Sequence, residues 1–468
     1  MKFNFEVNNF GKIKHAKLKL APFTVIAGAN SSGKSFISRA LYSFFNTINK
    51  DHVTIDTLEK VSKIESILRY SFHTLNTPSN NVANICQKLL STIRDLEKII
   101  NKEFGECSFL EQSTRTILID GYITDVEKTT HELLEETSNK KKYEQFHQLI
   151  LSISKRFKDL KHNLTKQLDI LSEQIESGFN DALKENFQIS SLKDLKAFNT
   201  KENEQISFNF GPLGQISINK ETIEFELDGK SINEFQSLYN VVFIESPIYW
   251  KLRKPLLQIK NQKNMFRLHK NEDSLSGVPQ YFYDLISLVN KNIKSNDENT
   301  ELKLIEQEIN TTLGGSLDVT DSGEISFKDS ITSKNININL TATGVTNLGL
   351  IGMLLNKNVI SKGSFVFVDE PEVNLHPAWQ KIMIEILYKL SKEGVNVVIA
   401  SHSIDMMKYI ENIMNSLGDE EVKEHFAINR LSQDGISNNF EIPPKESMSK
   451  IKEDLGNPFY EMSLEEGW

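Results

Sequence analysis

Apolar residues alternate at the start of the chain. Phe3, Phe5 and Val7 occupy every second position, and Ile13, Ala16, Leu18 and Leu20 run towards a second strand. This period predicts two half-buried strands. FTVIAG follows as a short apolar strand, and FISRALYSFF predicts a helix. From about residue 51 to 200 the period changes to three and four, and glycine nearly vanishes. Leu58, Val61, Ile64, Ile67 and Leu68 form one stripe. Ile150, Ile153, Phe157, Leu160, Leu164, Leu168, Leu171 and Ile175 form another, which predicts one long amphipathic helix. Alternation returns in ISFNFG, QISINK and TIEFEL, with Gly-Pro and Asp-Gly turn chemistry, and NVVFIESP predicts a buried strand. Residues 275–312 read as helical, SLDVTDSGEISF and NININL as strands, and TATGVTNLGLIGMLL as a loop-to-helix junction. SFVFVDEP and VNVVIASHS are apolar strands flanking a helix from Trp379 to Leu390, a βαβ unit that predicts parallel pairing.

Composition narrows the class. The 468 residues are 39% hydrophobic and 25% charged, an ordinary globular balance with room for two or three domains. With 54 Lys and Arg against 63 Asp and Glu the net charge is −9, a poor basis for coating nucleic acid along its whole surface. Cys86 and Cys107 are too few for a disulfide scaffold or a cysteine-built zinc module, and they fit a reducing cytoplasm. The first fifteen residues lack an apolar h-region, so no signal peptide is expected. The uncharged run between Lys334 and Lys357 is rich in Asn, Thr and Gly, so no membrane span is expected there either.

Three segments carry chemistry. Gly28-Ala-Asn30-Ser31-Ser32-Gly33-Lys34-Ser35 fits G-x-x-x-x-G-K-[ST] between a strand and a helix. The glycines let several backbone N–H groups face one phosphate. Lys34 adds charge near the β- and γ-phosphates, and Ser35 offers an oxygen to Mg²⁺. Asp369 and Glu370 end the apolar run FVFV. A buried strand delivers Asp369 to the sheet edge to hold the Mg²⁺ water shell, and Glu370 is then placed to polarise the attacking water. His402 closes VVIAS at the same edge, where an imidazole can hydrogen-bond the γ-phosphate. A solvated or structural histidine is the ordinary alternative.

The phosphate loop, the DEPEVNLHP segment at 369–377 and SHS at 401–403 together resemble the ABC-type ATPase head of the SMC, RecF and OLD class. The resemblance covers about 1–50 and 205–415. Within the class, Glu-x-Asn-Leu-His-Pro and the short arm are similar to the anti-phage ATPases of the Septu and PARIS systems. This implies ATP and Mg²⁺ as ligands and a dimer of heads. Thr343 and Gly344, in Thr-Ala-Thr-Gly-Val, occupy the signature position that caps the other subunit's ATP; Thr-Gly-Val replaces the usual Ser-Gly-Gly, and an ordinary helix start is the alternative. Asn374, Leu375 and His376 fall in the dimer-contacting loop. Gln236 is the one convenient residue for the glutamine loop, with its register open.

The expected fold is α/β: an ABC-type head, with a P-loop sheet and an antiparallel β portion, interrupted by a helical arm. The expected divisions are residues 1–50, a helical, coiled-coil-like insertion at 51–200, residues 201–418, and an acidic segment at 419–468. The insertion carries 20 basic and 23 acidic residues, and the last segment 5 basic and 12 acidic. That last segment reads either as a docking tail for a basic partner or as a stretch folded back on the head. Between Ser246 and Asn271 lie Lys251, Arg253, Lys254, Lys260, Lys263, Arg267 and Lys270 with Tyr249, Trp250 and Phe266, a pattern that suits either nucleic acid or a salt-bridged face. No nuclease cluster accompanies the head motifs, so an effector is expected to be a separate polypeptide, a nuclease being one candidate. The leading expectation is a cytoplasmic, nucleotide-gated sensor or scaffold in anti-phage defence. A DNA-repair or DNA-organising clamp and a non-hydrolysing regulatory module are the alternatives.

Overall fold

A computed structural model describes residues 1–73, 75, 77–105, 109–138, 140–165, 167–197, 204–227, 229–236, 238–245, 247–258, 277–290, 300–320 and 324–465. The chain begins with β1 (Phe3–Phe10), β2 (Ile13–Leu20), β3 (Phe23–Ala27) and α1 (Lys34–Ile48). Helices α2 (His52–His73), α3 (Asn80–Phe104), α4 (Phe109–Thr137), α5 (Glu144–Thr165) and α6 (Gln167–Phe187) follow. Then come β4 (Ile206–Asn209), β5 (Gln215–Asn219), β6 (Thr222–Glu226) and β7 (Val241–Ile244). Next are α7 (Gln280–Asn290), α8 (Thr300–Leu313), β8 (Gly315–Val319), β9 (Ile325–Asp329) and β10 (Asn335–Asn337). The last part holds α9 (Thr343–Asn356), β11 (Phe365–Asp369), α10 (Pro377–Lys392), β12 (Asn396–Ser401), α11 (Ile404–Asn415), β13 (Phe426–Arg430), β14 (Ile436–Asn438) and α12 (Pro444–Glu465).

The chain divides into two compact units. The first comprises Met1–Asn49, Gly178–Leu227 and Leu238–Trp468, and the second Lys50–Ser177 and Asp228–Ser237. The head thus takes residues 178–200, which the glycine-poor stretch assigned to the arm. Their apolar groups explain this: Phe179, Leu183, Leu192 and Leu195 are buried, and Asn186 donates to Ser43 Oγ at 2.8 Å and accepts from Tyr281 N at 2.9 Å.

In the first unit the strand order β13-β3-β12-β11-β7 forms a five-stranded sheet. Every pairing in it is parallel. β3 and β11 are buried at every position, as a sheet covered on both faces requires. A second, six-stranded sheet has the order β14-β2-β1-β4-β5-β6 and is antiparallel except where β14 joins β2. Aromatic rings fill the core around α1. Phe44 stacks on Phe210 with centroids 4.7 Å apart, and Phe45 on Phe365 at 4.7 Å. The expected α/β class, a parallel sheet with an antiparallel portion and a helical interruption, is observed. The strands of SLDVTDSGEISF and NININL form a third sheet, β10-β9-β8.

Of the two readings of the acidic C-terminal segment, the one folded back on the head is observed. Its residues are not a tail outside the head: β13 pairs along β3 from Phe426↔Phe23 to Arg430↔Ala27, and β14 pairs with β2. Asn429 is buried and ties β13 to its neighbours, donating to Lys19 O at 2.8 Å and accepting from Lys19 N at 2.8 Å. Met448 and Ile451 of α12 are buried, and Asp454 pairs with Arg430 at 2.8 Å. Charge counting hid the short apolar run Phe426-Ala427-Ile428, which is what the sheet uses.

In the second unit the stripes fold as helices. Val82, Cys86, Leu89, Ile93, Leu96 and Ile100 line the buried face of α3, and Ile119, Ile123, Val126, Thr130 and Leu133 that of α4. The alternating four- and three-residue steps keep one seam inward. Lys88 meets Glu132 at 3.0 Å and Asn81 meets Glu136 at 2.9 Å, so the start of α3 lies beside the end of α4. The single long helix expected from Ile150 to Ile175 is described as two, α5 and α6, with residue 166 outside the described residues. Cys86 is buried and Cys107 lies outside the described residues. Among the described residues no helix is long and apolar enough to cross a membrane.

Candidate functional site

The phosphate loop joins β3 to α1, and the parallel register brings its neighbours to the same edge. Ser401 pairs with Ala27, and Ala400 with Asp369, so the ends of β3, β12 and β11 coincide. The loop conformation depends on its glycines. Gly33 sits at φ 97°, and a Cβ on Gly28 would lie 2.4 Å from Leu431 O and 2.8 Å from Ser32 Oγ. Ser31 is also left-handed, at φ 63°, and Asn30 and Ser31 are exposed. α1 has no side-chain cap and no acid in its first turn, which leaves its N-terminal dipole open to an anion.

Lys34 is only 5% exposed and donates from Nζ to Gly28 O and Ala29 O, both at 3.0 Å. Burial lowers its pKa, while the charges of Glu370, Asp369 and Glu372 oppose that shift. Ser35 Oγ donates to Asp369 Oδ1 at 3.1 Å, joining residues 334 positions apart in sequence. Burial pushes Asp369 up to about 7, and the charge of Glu245 adds to it; Ser35 and Arg39 pull the other way. A cation beside this carboxylate would favour its ionised form.

Glu370 stands at the mouth with its backbone at φ 50°, a left-handed conformation unusual outside glycine, held by a bond from its N–H to Ala400 O at 2.8 Å. His402 Nδ1 lies 3.7 Å from Glu370 Oε1 and 3.2 Å from Glu372 Oε1. The closer contact is within ion-pair range but not aligned as a hydrogen bond.

The structure thus brings Gly28, Ser32, Gly33, Lys34, Ser35, Asp369, Glu370 and His402 to one sheet edge. Thr343 and Gly344 lie elsewhere in the same subunit. They open α9 against the loop after β11, where a Cβ on Gly344 would meet Leu375 Cδ2 at 3.1 Å. No hydrogen bond joins either residue to 28–35 among the described residues. His376 caps α10, its Nδ1 accepting from Ala378 N at 3.2 Å. Gln236 belongs to the second unit, whereas Glu245 directly follows β7 in the first.

Sequence reasoning missed a neighbouring cluster. Arg39 and Tyr281 both hydrogen-bond Glu245, and the Arg39 guanidinium lies 5.9 Å over the Tyr281 ring. The charges of Glu245 and Arg39 act on Asp369 in opposite directions. The acid at the end of the NVVFI strand was the one available signal. Three of the basic residues from 246–271 are also engaged. Lys251 donates to Thr341 O at 2.9 Å, buried Arg253 to Asn290 Oδ1 at 3.0 Å, and Lys254 pairs with Glu324 at 3.1 Å. Lys260, Lys263, Phe266, Arg267 and Lys270 lie outside the described residues.

The donor set fits a nucleotide and its cation. Ser32 Oγ is buried in the loop without a partner, and Lys34 is held inside by carbonyls alone. Among the described residues no group of three or more His, Cys, Asp or Glu has metal-holding geometry. A Mg²⁺ at Ser35 and Asp369 would therefore take its other ligands from water and phosphate, as this ion ordinarily does.

The family model described as an AAA ATPase domain matches residues 1–407. No curated protein matches. Among solved structures, an SMC head bound to the C-terminal winged-helix domain of ScpA is 13% identical, with TM-score 0.42, covering 96% of this chain and 99% of that one. An SMC head domain from Thermotoga maritima is 11% identical, with TM-score 0.30, covering 87% and 91%. A dimeric bacterial ABC transporter cassette is 12% identical, with TM-score 0.22, covering 48% and 72%.

Proposed function

The chain belongs to the family of AAA ATPase domains, and we propose on that premise that it binds ATP with Mg²⁺ and hydrolyses it. The observation that carries this reading is the Ser35–Asp369 hydrogen bond, which sets the phosphate loop and the end of β11 around one point. The loop N–H groups and Lys34 hold the phosphates. Ser35 and Asp369 hold the cation, which when bound neutralises phosphate charge. Glu370 accepts a proton from water, and His402 sits beside it to donate to the terminal phosphate. Thr343 and Gly344, which make no described hydrogen bond to their own loop, cap the nucleotide of a second copy, so the active form is a dimer of heads.

The setting we propose is anti-phage defence in the cytoplasm, with a separate effector. It rests on the resemblance of the Glu-x-Asn-Leu-His-Pro run to ATPases of such systems. Binding of a fluorescent ATP analogue with and without Mg²⁺ tests the site. Asp369→Asn should remove most of the Mg²⁺ dependence while leaving metal-free binding. Equal Mg²⁺ dependence in both proteins would refute the cation assignment.

A further inference from the structure

We propose that Glu372, which opens the Glu-x-Asn-Leu-His-Pro run and has so far carried no role, is a positioning residue that holds His402 in register with Glu370; this rests on the ATPase reading above. Glu372 lies three residues beyond Asp369, and its side chain is only 8% exposed. A carboxylate so buried is costly unless its oxygens are engaged. Its Oε1 accepts from Ser401 Oγ at 2.9 Å and from the His402 backbone N–H at 3.0 Å. The same oxygen lies 3.2 Å from His402 Nδ1. Oε2 is buried without a partner. The described hydrogen bonds and ion pair of this carboxylate are thus made to the end of β12 and the residue after it, while its charge also acts on Lys34.

The turn that delivers Glu372 is set by Glu370. With Glu370 left-handed, its C=O accepts from Val373 N at 3.1 Å, and Glu372 C=O accepts from Leu375 N at 3.0 Å. The chain after β11 therefore folds back over the end of β12, which fixes Glu372 and His402 relative to each other. The ring edge bearing Nδ1 then faces two carboxylates, Glu372 at 3.2 Å and Glu370 at 3.7 Å. The negative charge on that edge, though not aligned as a hydrogen bond, favours the tautomer with its proton on Nδ1 and leaves Nε2 as the nitrogen available to substrate. Glu372 acts through His402 and touches no reacting atom.

The experiment compares four full-length proteins: the unchanged chain, Glu372→Gln, His402→Ala and the double variant. Steady-state phosphate release and fluorescent-ATP binding are measured for each. Glu372→Gln retains an oxygen acceptor for Ser401 and the His402 N–H, so the fold is expected to persist with an unchanged melting temperature. Its kcat is expected to fall roughly 10- to 100-fold, the scale for losing a supporting carboxylate behind a functional histidine. Nucleotide affinity should stay within about twofold, since no phosphate contact is removed. Added to His402→Ala, the same change should alter kcat by less than about twofold, because residues acting as a unit are not additive. Nitrogen-15 spectra of the ring should show a protonated Nδ1 that shifts in Glu372→Gln. An unchanged kcat in Glu372→Gln, or an equal loss with and without His402, would overturn the positioning role while leaving the ATPase reading intact. No phosphate release from the unchanged protein would overturn both.

Discussion

Lys34 is held by two carbonyls and opposed by three carboxylates across the loop, so its charge is available to a phosphate that replaces those carbonyls. Lys34→Ala is expected to weaken ATP binding roughly 10- to 100-fold, the value of one charge-assisted contact. Equilibrium titration with labelled ATP checks this, and unchanged affinity would remove the loop from the binding site. The loop residues were legible because their spacing is local, between a strand and a helix that the periodicity marks. Asp369 and Glu370 were legible for the same reason. The pairing of Glu372 with Ser401 and His402 was not, because they lie about thirty positions away and only strand register brings them together. The same holds for Arg39, Glu245 and Tyr281, three residues from three elements with no common motif.

At the scale of elements, β13 shows what composition conceals. Phe426 to Asn429 are buried beside β3, although the surrounding fifty residues are strongly acidic. His425, just before this strand, is partly buried with its Nε2 2.8 Å from Ser391 Oγ. Burial, with the nearby charge of Lys392, lowers its pKa from 6.5 to about 4. The unfolded chain therefore takes this proton first as pH falls. The neutral ring has no effect on the balance above the unfolded value, and stability declines as pH drops from 6.5 towards 4. Melting curves at pH 7.5 and 5 should show the decline, and His425→Gln should reduce its slope. An identical slope in both proteins would assign the acid sensitivity to other groups. A second expectation concerns the basic stretch. Arg253 is buried, so Arg253→Glu is expected to lower the melting temperature by several degrees, as burying an acid in place of a bonded base does. A melting temperature equal to that of the unchanged chain would contradict a structural role for this buried side chain.

For the whole molecule, the head is assembled from both ends of the sequence. β3, from the first thirty residues, lies between β12 and β13, from the last eighty. The long insertion between the phosphate loop and the carboxylates was legible as a change in period, but its exact limits were not, because α6 carries one continuous apolar stripe from one unit into the other. Deleting residues 447–468 removes buried Met448 and Ile451 and the Arg430 partner Asp454. The expected result is a melting temperature lower by more than about 5 °C, not a folded head that has merely lost a docking tail. In the proposed function Glu370 activates water at a site completed by two copies of this chain. The most direct test is phosphate release from ATP and Mg²⁺ by the unchanged protein and by Glu370→Gln, with molar mass measured in the same samples. Turnover is expected in the former. In the latter turnover should be reduced roughly 100-fold or more, with ATP still bound and a dimer accumulating. Equal turnover in the two proteins, or full loss of ATP binding in Glu370→Gln, would contradict this role of Glu370.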